Sequence, residues 1–184
     1  MTYICGPDWD RRVVDIELKE NSAIIMSGGI DSLVLYNILQ DVDIINIVRK
    51  DGFDSGPFPR GKSVISVKEV TTDHRFRIQR TLLHIKDKLN YEYIYTGINL
   101  APPTEYFSEF DTDSRPYRPW KITEDWVKAP FLHLYKYHII DLARMLNIDI
   151  SNAQSCLMQL NGHCGECWQC KEKKWGYNQL SIDI

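Results

Sequence analysis

Two short stretches carry residue types that could do chemistry. The first is Ser27-Gly28-Gly29-Ile30-Asp31-Ser32, placed directly after the apolar run Ala23 to Met26 and directly before Leu33, Val34, Leu35, Ile38 and Leu39. The run has strand length, and the apolar positions that follow recur as on one face of a helix. A strand-to-helix turn of this kind aims backbone N–H groups and the positive end of a helix dipole at one point. Such a point is an anion site, most naturally for phosphate. Gly28 and Gly29 are expected to allow φ > 0 and close approach of a ligand. Asp31 and Ser32 are expected to cap the opening turn of the helix. The spacing differs from the Walker loop, which needs four residues between its glycines and then Gly-Lys-Ser/Thr.

The second stretch holds four of the five cysteines within fifteen residues: Cys156, Cys164, Cys167 and Cys170, spaced C-x7-C-x2-C-x2-C. Cysteines two residues apart curl round one ion, and a fourth thiolate closes the tetrahedral site that structural zinc requires. Gly162 and Gly165 suit the turns between ligands. His163 is the alternative for one ligand, and an iron–sulfur cluster would also accept four thiolates. The clustering reads as metal binding in a reducing compartment rather than as a disulfide framework. Cys5, alone near the N-terminus, reads as a small apolar residue.

These stretches need a scaffold, and the chain reads as an α/β one. Val14, Ile16 and Leu18 alternate with Asp15 and Glu17, which predicts a strand or hairpin arm. Ala23–Met26, Asp43–Val48, Ser63–Val67 and Tyr93–Gly97 are strand candidates, with turn formers over 49–63. A helical pattern runs from Asp73 to Leu89, with Phe76, Leu82, Leu83, Ile85 and Leu89 inward and a mostly solvated basic face. Arg75, at the start of that helix, is placed to reach a nucleotide. Another amphipathic helix runs from Lys136 to Leu146. Alternating strands and helices imply a parallel, helix-covered sheet, which binds ligands beyond the carboxyl ends of its strands. Ser27–Ser32 and Thr96–Asn99 both fall at such ends. Between them and the last helix, 100–119 reads as a long loop with Tyr106, Phe107, Phe110 and Tyr117 among mixed charges. It would serve either as a lid on a planar ligand or as a surface loop packed on its own aromatics.

Length and composition set limits. At 184 residues the chain has the length of one domain with a single sizeable core. A formal net charge of −3 argues against a general nucleic-acid binder. No charged-then-apolar leader follows Met1, and no apolar run approaches a membrane span, so a cytoplasmic location is expected.

The Ser27–Ser32 stretch resembles the S-G-G-x-D-S signature of the PP-loop ATP pyrophosphatase superfamily, whose members grip the β- and γ-phosphates of ATP and cut at the α-phosphorus. Joined to Ser155-Cys156 and His163-Cys164-Gly165-Glu166-Cys167-Trp168-Gln169-Cys170, it resembles the 7-cyano-7-deazaguanine synthase family. Tyr95-Thr96-Gly97-Ile98-Asn99 resembles that family's fourth-strand G-x-N segment. Pro130-Phe131-Leu132-His133-Leu134-Tyr135-Lys136 with Ile139-Ile140 resembles its P-L-x-x-L-x-K-x-x-I-I segment, with Phe131 in place of the first leucine.

The resemblance implies a Rossmann-like parallel sheet with helices on both faces and a small zinc-binding C-terminal cap. It divides the chain into a PP-loop nucleotide-binding domain over 1–150 and a zinc-binding segment over 151–184. It implies ATP, Mg²⁺ and Zn²⁺, and adenylation of 7-carboxy-7-deazaguanine followed by ammonia attack to the amide and dehydration to the nitrile. Ser27, Gly28, Gly29, Ile30, Asp31 and Ser32 would then hold pyrophosphate, and Asp31 would help hold Mg²⁺. Ile47 and Val48 would flank adenine, Thr96, Gly97 and Asn99 would close the site, and Lys136 would neutralise charge as pyrophosphate leaves. An exposed lysine at a helix start is the plainer reading of Lys136. The expected partners are a deazapurine carboxylate and ammonia, with room for a homodimer and none for a membrane or direct nucleic-acid binding. Two departures stand out: the chain is short for the family, and Leu100-Ala101-Pro102-Pro103 follows Asn99 where an aspartate-containing motif is usual. The rival readings are another PP-loop activating enzyme and a non-catalytic nucleotide-binding module.

Overall fold

Strands whose side chains are apolar on both faces need cover on both sides. In the computed structural model, which describes residues 1–48, 58, 63–68, 77–103, 122–154, 156 and 164–182, they have it. The elements run β1 (Thr2–Cys5), β2 (Arg12–Asp15), β3 (Ser22–Ile25), α1 (Ile30–Leu39), β4 (Asp43–Val48), β5 (Val64–Lys68), α2 (Arg77–Lys88), β6 (Tyr93–Thr96), β7 (Val127–Lys128), α3 (Lys136–Met145) and α4 (Trp168–Gln179). Among the described residues, five strands form one sheet in the order β5-β4-β3-β6-β7, and every neighbouring pair is parallel.

Alternation along the strands splits the core in two. Ile24, Met26, Ile44 and Tyr95 join Val34, Leu35, Ile38 and Leu39 of α1 and Ile139, Ile140 and Leu142 of α3 on one face. Ala23, Ile45, Val67 and Ile94 meet Leu82 and Ile85 of α2 on the other. The result is the expected Rossmann-like α/β architecture, with helices on both faces and the cysteine-bearing α4 packed on α3. Each fully buried Ile or Leu in these layers contributes about 1.5–3 kcal/mol.

The order places β3 between β4 and β6, so connections leave it in opposite directions. That is the switch point at which open α/β sheets form a ligand crevice. The two segments flanking it are Ser27–Ser32, after β3, and Thr96–Asn99, at the end of β6.

Several expectations change. The arm read over Val14–Leu18 is an antiparallel hairpin of β1 and β2, and its second strand ends at Asp15. In α1, Leu33 is only half-buried, whereas Ile30 and Tyr36 are buried. In α2, Leu83 lies exposed, because it falls between the two inward positions Leu82 and Ile85. Lys86 is not simply solvated: its ammonium donates to the carbonyls of Tyr91 (2.7 Å) and Glu92 (3.2 Å) and ties down the turn into β6. β7 and α4 have no counterpart in the sequence reading. Phe76, most of 49–63 and residues 104–119 of the long loop lie outside the described residues.

Candidate active site and thiolate cluster

The turn after β3 is held by its own two serines. The Ser27 N–H donates to Ser32 Oγ (3.2 Å), the hydroxyls of Ser27 and Ser32 lie 3.2 Å apart, and Ser32 Oγ donates to the Gly29 carbonyl (3.1 Å). Gly28 has φ 74°, where an L side chain is strained, so glycine is required there. Gly29 has φ −78° and forms the N-cap of α1, so the expectation of left-handed backbone at both glycines holds only for Gly28. The expected capping by Asp31 and Ser32 is also absent: no side chain caps this helix. Ser32 is turned back onto the loop, and Asp31 is engaged elsewhere.

Asp31 meets Lys136. The Lys136 ammonium donates to Asp31 Oδ1 at 2.6 Å and Oδ2 at 2.5 Å, across 105 residues of sequence. The Lys136 side chain is 3% exposed and that of Asp31 21%. Lys136 is therefore not an exposed helix-start lysine; it is a buried cation beside the turn.

Three features hold it there. Phe131 and Leu134 are fully buried ahead of α3, and Leu134 O accepts the Leu100 N–H (2.8 Å), joining the segment after β6 to the start of α3. His138 Nδ1 accepts the Tyr135 N–H (3.1 Å) and fixes the first turn. Gly176 of α4 lies against the lysine stem, where an added Cβ would come within 2.9 Å of Lys136 Cγ and of Ile140 Cδ1.

The segment after β6 is equally close to the turn. A Cβ at Gly97 would fall 2.8 Å from Asp31 C and Ser32 N, so only glycine lets this segment touch the start of α1. Thr96 and Asn99 are buried beside it, and Ile47 and Val48 are half-buried at the carboxyl end of β4. Arg75 and His163 lie outside the described residues.

Two further buried groups come from α4, and neither was singled out in the sequence. Glu172 is fully buried, with Oε1 accepting from Asn99 Nδ2 at 3.4 Å and Oε2 3.9 Å from Lys136 Nζ. Lys173 is buried too, and burial holds its ammonium below its ordinary pKa against the opposing influence of Cys170, with the Lys136 charge a smaller aid. The available signal was the spacing Trp168, Glu172, Gly176, one position every four residues. With one large apolar residue in it, the row does not read as a buried face.

Cys156, Cys164, Cys167 and Cys170 converge, their sulfurs all within 4.8 Å of one another. An ideal tetrahedron with Zn–S near 2.3 Å has sulfurs roughly 3.8 Å apart, so the four donors fit one zinc ion with slight contraction. Cys164 Sγ and Cys170 Sγ already lie 3.9 Å apart, and the Cys167 N–H donates to Cys164 Sγ at 3.3 Å. That N–H leads the influences that lower Cys164 to about 6, while burial pushes Cys170 up to about 12. A metal bound here would take all four as thiolates, so its binding releases protons. Gly165, at φ 77°, makes the turn between Cys164 and Cys167. Gln154, ahead of the cluster, donates its N–H to Gly28 O (2.8 Å), so the cysteine segment is fastened to the turn itself. Cys5 is fully buried and pushed up to about 12, chiefly by burial, as suits an inert residue.

Fold and site define a Rossmann-like α/β protein with a buried lysine paired to a partly exposed aspartate at the switch point and a four-cysteine site able to hold zinc. Residues 115–181 match the family described as queuosine biosynthesis protein QueC, a span that contains Lys136 and the cysteines and leaves out Ser27–Ser32. A 7-cyano-7-deazaguanine synthase of Polynucleobacter asymbioticus is 36% identical over 58 residues, which is 30% of this chain and 24% of that relative. The match spans about a quarter of that relative's length. Both findings support the resemblance to the 7-cyano-7-deazaguanine synthase family read from the motifs.

Proposed function

We propose that the chain is an ATP-dependent carbon–nitrogen ligase of the 7-cyano-7-deazaguanine synthase type. The observation that carries this reading is the Asp31–Lys136 pair. It places a buried ammonium, from the part of the chain that matches the queuosine biosynthesis family, on the turn that has the S-G-G-x-D-S pattern. The first turn of α1 has no side-chain cap, which suits a phosphate acceptor.

In this reading the backbone of Ser27–Ser32 cradles the β- and γ-phosphates of ATP, and Asp31 helps hold Mg²⁺. Lys136, released by Asp31, then neutralises from its place beside the turn the charge that develops as pyrophosphate leaves. Adenine lies along Ile47 and Val48, with Thr96, Gly97 and Asn99 closing the other wall of the crevice. The acceptor is the carboxylate of 7-carboxy-7-deazaguanine, adenylated in line with the leaving pyrophosphate. Positioning of this kind accounts for several kcal/mol, up to roughly 7–11. Ammonia then displaces AMP to form the amide, and a second activation dehydrates it to the nitrile. Zinc at the four cysteines contributes to folding rather than to the chemistry. A cytoplasmic location follows from this reading; among the described residues no helix is long and apolar enough to cross a membrane.

One observation favours a second reading, a PP-loop activating enzyme with a different acceptor. Leu100-Ala101-Pro102-Pro103 offers no carboxylate after Asn99, and Pro102 is buried.

Protein, ATP, Mg²⁺, ammonium and 7-carboxy-7-deazaguanine are mixed and followed by mass spectrometry. AMP, pyrophosphate and a deazaguanine amide or nitrile are expected. ADP with inorganic phosphate would remove the PP-loop assignment. AMP formed with neither organic product would point to the different acceptor.

A further inference from the structure

Glu172 stands out because a fully buried carboxylate needs a compensating partner. Its oxygens face Asn99 Nδ2 at 3.4 Å and Lys136 Nζ at 3.9 Å, so Lys136 sits between two carboxylates, Asp31 and Glu172. The two differ in setting. Asp31 is partly open to solvent on the turn, while Glu172 lies wholly inside, on a helix that opens directly from the cysteine cluster with Cys167 as its N-cap.

We propose that Glu172 is a positioning residue for Lys136, keeping its ammonium beside the Ser27–Ser32 turn when Asp31 is drawn to a ligand. The proposal rests on the ligase reading for the ligand concerned. Without Glu172, an ammonium released by Asp31 would be a buried charge with no fixed carboxylate behind it, free to drift from the turn before pyrophosphate leaves. With Glu172 behind it, the ammonium keeps one location through both states. Asn99 orients Glu172 from the other side, which ties the segment after β6 into the same arrangement. Because α4 starts at the cysteines, the placement of Glu172 depends on the same turn that gathers the thiolates.

The test compares zinc-loaded wild type, Glu172→Gln, Lys136→Met and the double variant. Glutamine keeps an acceptor for Asn99 and removes the charge. Glu172→Gln is expected to lower kcat for pyrophosphate release about tenfold, which is ~1.4 kcal/mol of barrier. The KM for ATP should stay within about twofold, since ground-state binding by the turn is untouched. Zinc content and melting temperature should match wild type. In the stability arm, Lys136→Met removes the ammonium that faces Glu172 Oε2 inside the fold and should lower the melting temperature steeply. Adding Glu172→Gln should restore part of the loss, because coupled residues are non-additive.

An unchanged kcat in Glu172→Gln, or a fall that only tracks lost zinc or lost stability, overturns the proposal. If wild type releases no pyrophosphate, the ligase reading fails, and the stability cycle alone decides on Glu172. Losses that simply add would then refute its coupling to Lys136, and restoration in the double variant would uphold it.

Discussion

At the scale of single residues, Asp31 has two demands on it. It lies on the turn, where the ligase reading gives it Mg²⁺, and it also satisfies a lysine that is 3% exposed. A hydrogen bond to a charged group contributes roughly 1.5–3 kcal/mol. Asp31→Ala is therefore expected to abolish pyrophosphate release and to lower unfolding free energy by about that amount, measured by urea titration. Equal stability in the variant would mean that Glu172 alone suffices for the lysine. Gly97 and Gly176 work differently, through what they lack. One lets the segment after β6 touch the start of α1, and the other lets α4 lie against the stem of Lys136. Both close approaches set where the ammonium stands.

Among the elements, α4 carries the most unusual composition. Its buried side includes Trp168, Cys170, Glu172, Lys173 and Gly176, so charge and small size replace the usual apolar stripe. Such a helix gains little from burial alone. Its attachment has to come from the cluster at its N-terminus and from the contacts of Gly176 and Glu172 with α3. Zinc near one equivalent per chain, with little iron, is expected by elemental analysis. Cys167→Ser should lose that zinc and lower the melting temperature, with any residual turnover falling after stability does. An iron-rich preparation would instead favour a cluster of the iron–sulfur kind.

On the scale of the whole molecule, the N-terminal hairpin is joined to the sheet layer through α3. Gly6 N–H donates to Asp141 Oδ2 (2.8 Å), and Arg12 holds Asp10 through two bonds of 3.0 Å. Tyr137 also donates to Asp10, and His138 Nε2 lies 2.8 Å from the Asp10 carbonyl. Since Nδ1 already accepts from Tyr135, the proton of this histidine is on Nε2, and the ring is neutral. Burial lowers His138 from 6.5 to about 4, outweighing the Asp10 carbonyl and carboxylate, which act in the opposite direction. For Asp10 burial acts upward, yet the Arg12 and Tyr137 bonds outweigh it and leave the carboxyl below its ordinary value.

The sign follows from linkage. The unfolded chain binds a proton at His138 that the folded chain refuses, so stability is full above pH 6.5 and declines as pH falls toward 4. The decline attributable to His138 is about 3 kcal/mol. His138→Gln should flatten this part of the stability–pH curve while costing some stability at pH 7. An unchanged curve would show that His138 protonates without opening the hairpin contact.

The chemistry-bearing residues were legible where they are neighbours in sequence. Ser27–Ser32 bears its turn within six residues, and the cysteines reveal a common ligand by spacing, because both depend on local backbone geometry. The strands at 43–48 and 93–96 were legible for a related reason: a short apolar run cut off by turn residues has few other uses. Strand order, and with it the crevice between β3 and β6, belongs to the tertiary structure, since pairing is set by packing across both faces of the sheet. The site inside that crevice does too. Asp31 and Lys136 stand 105 residues apart, and Asn99 and Glu172 stand 73 apart. No period or spacing links residues that far apart in the chain. The family resemblance put Lys136 in the site against the plainer reading of a solvated lysine, and Glu172 carried no signal; the packing of α4 on α3 is what removes the water around both.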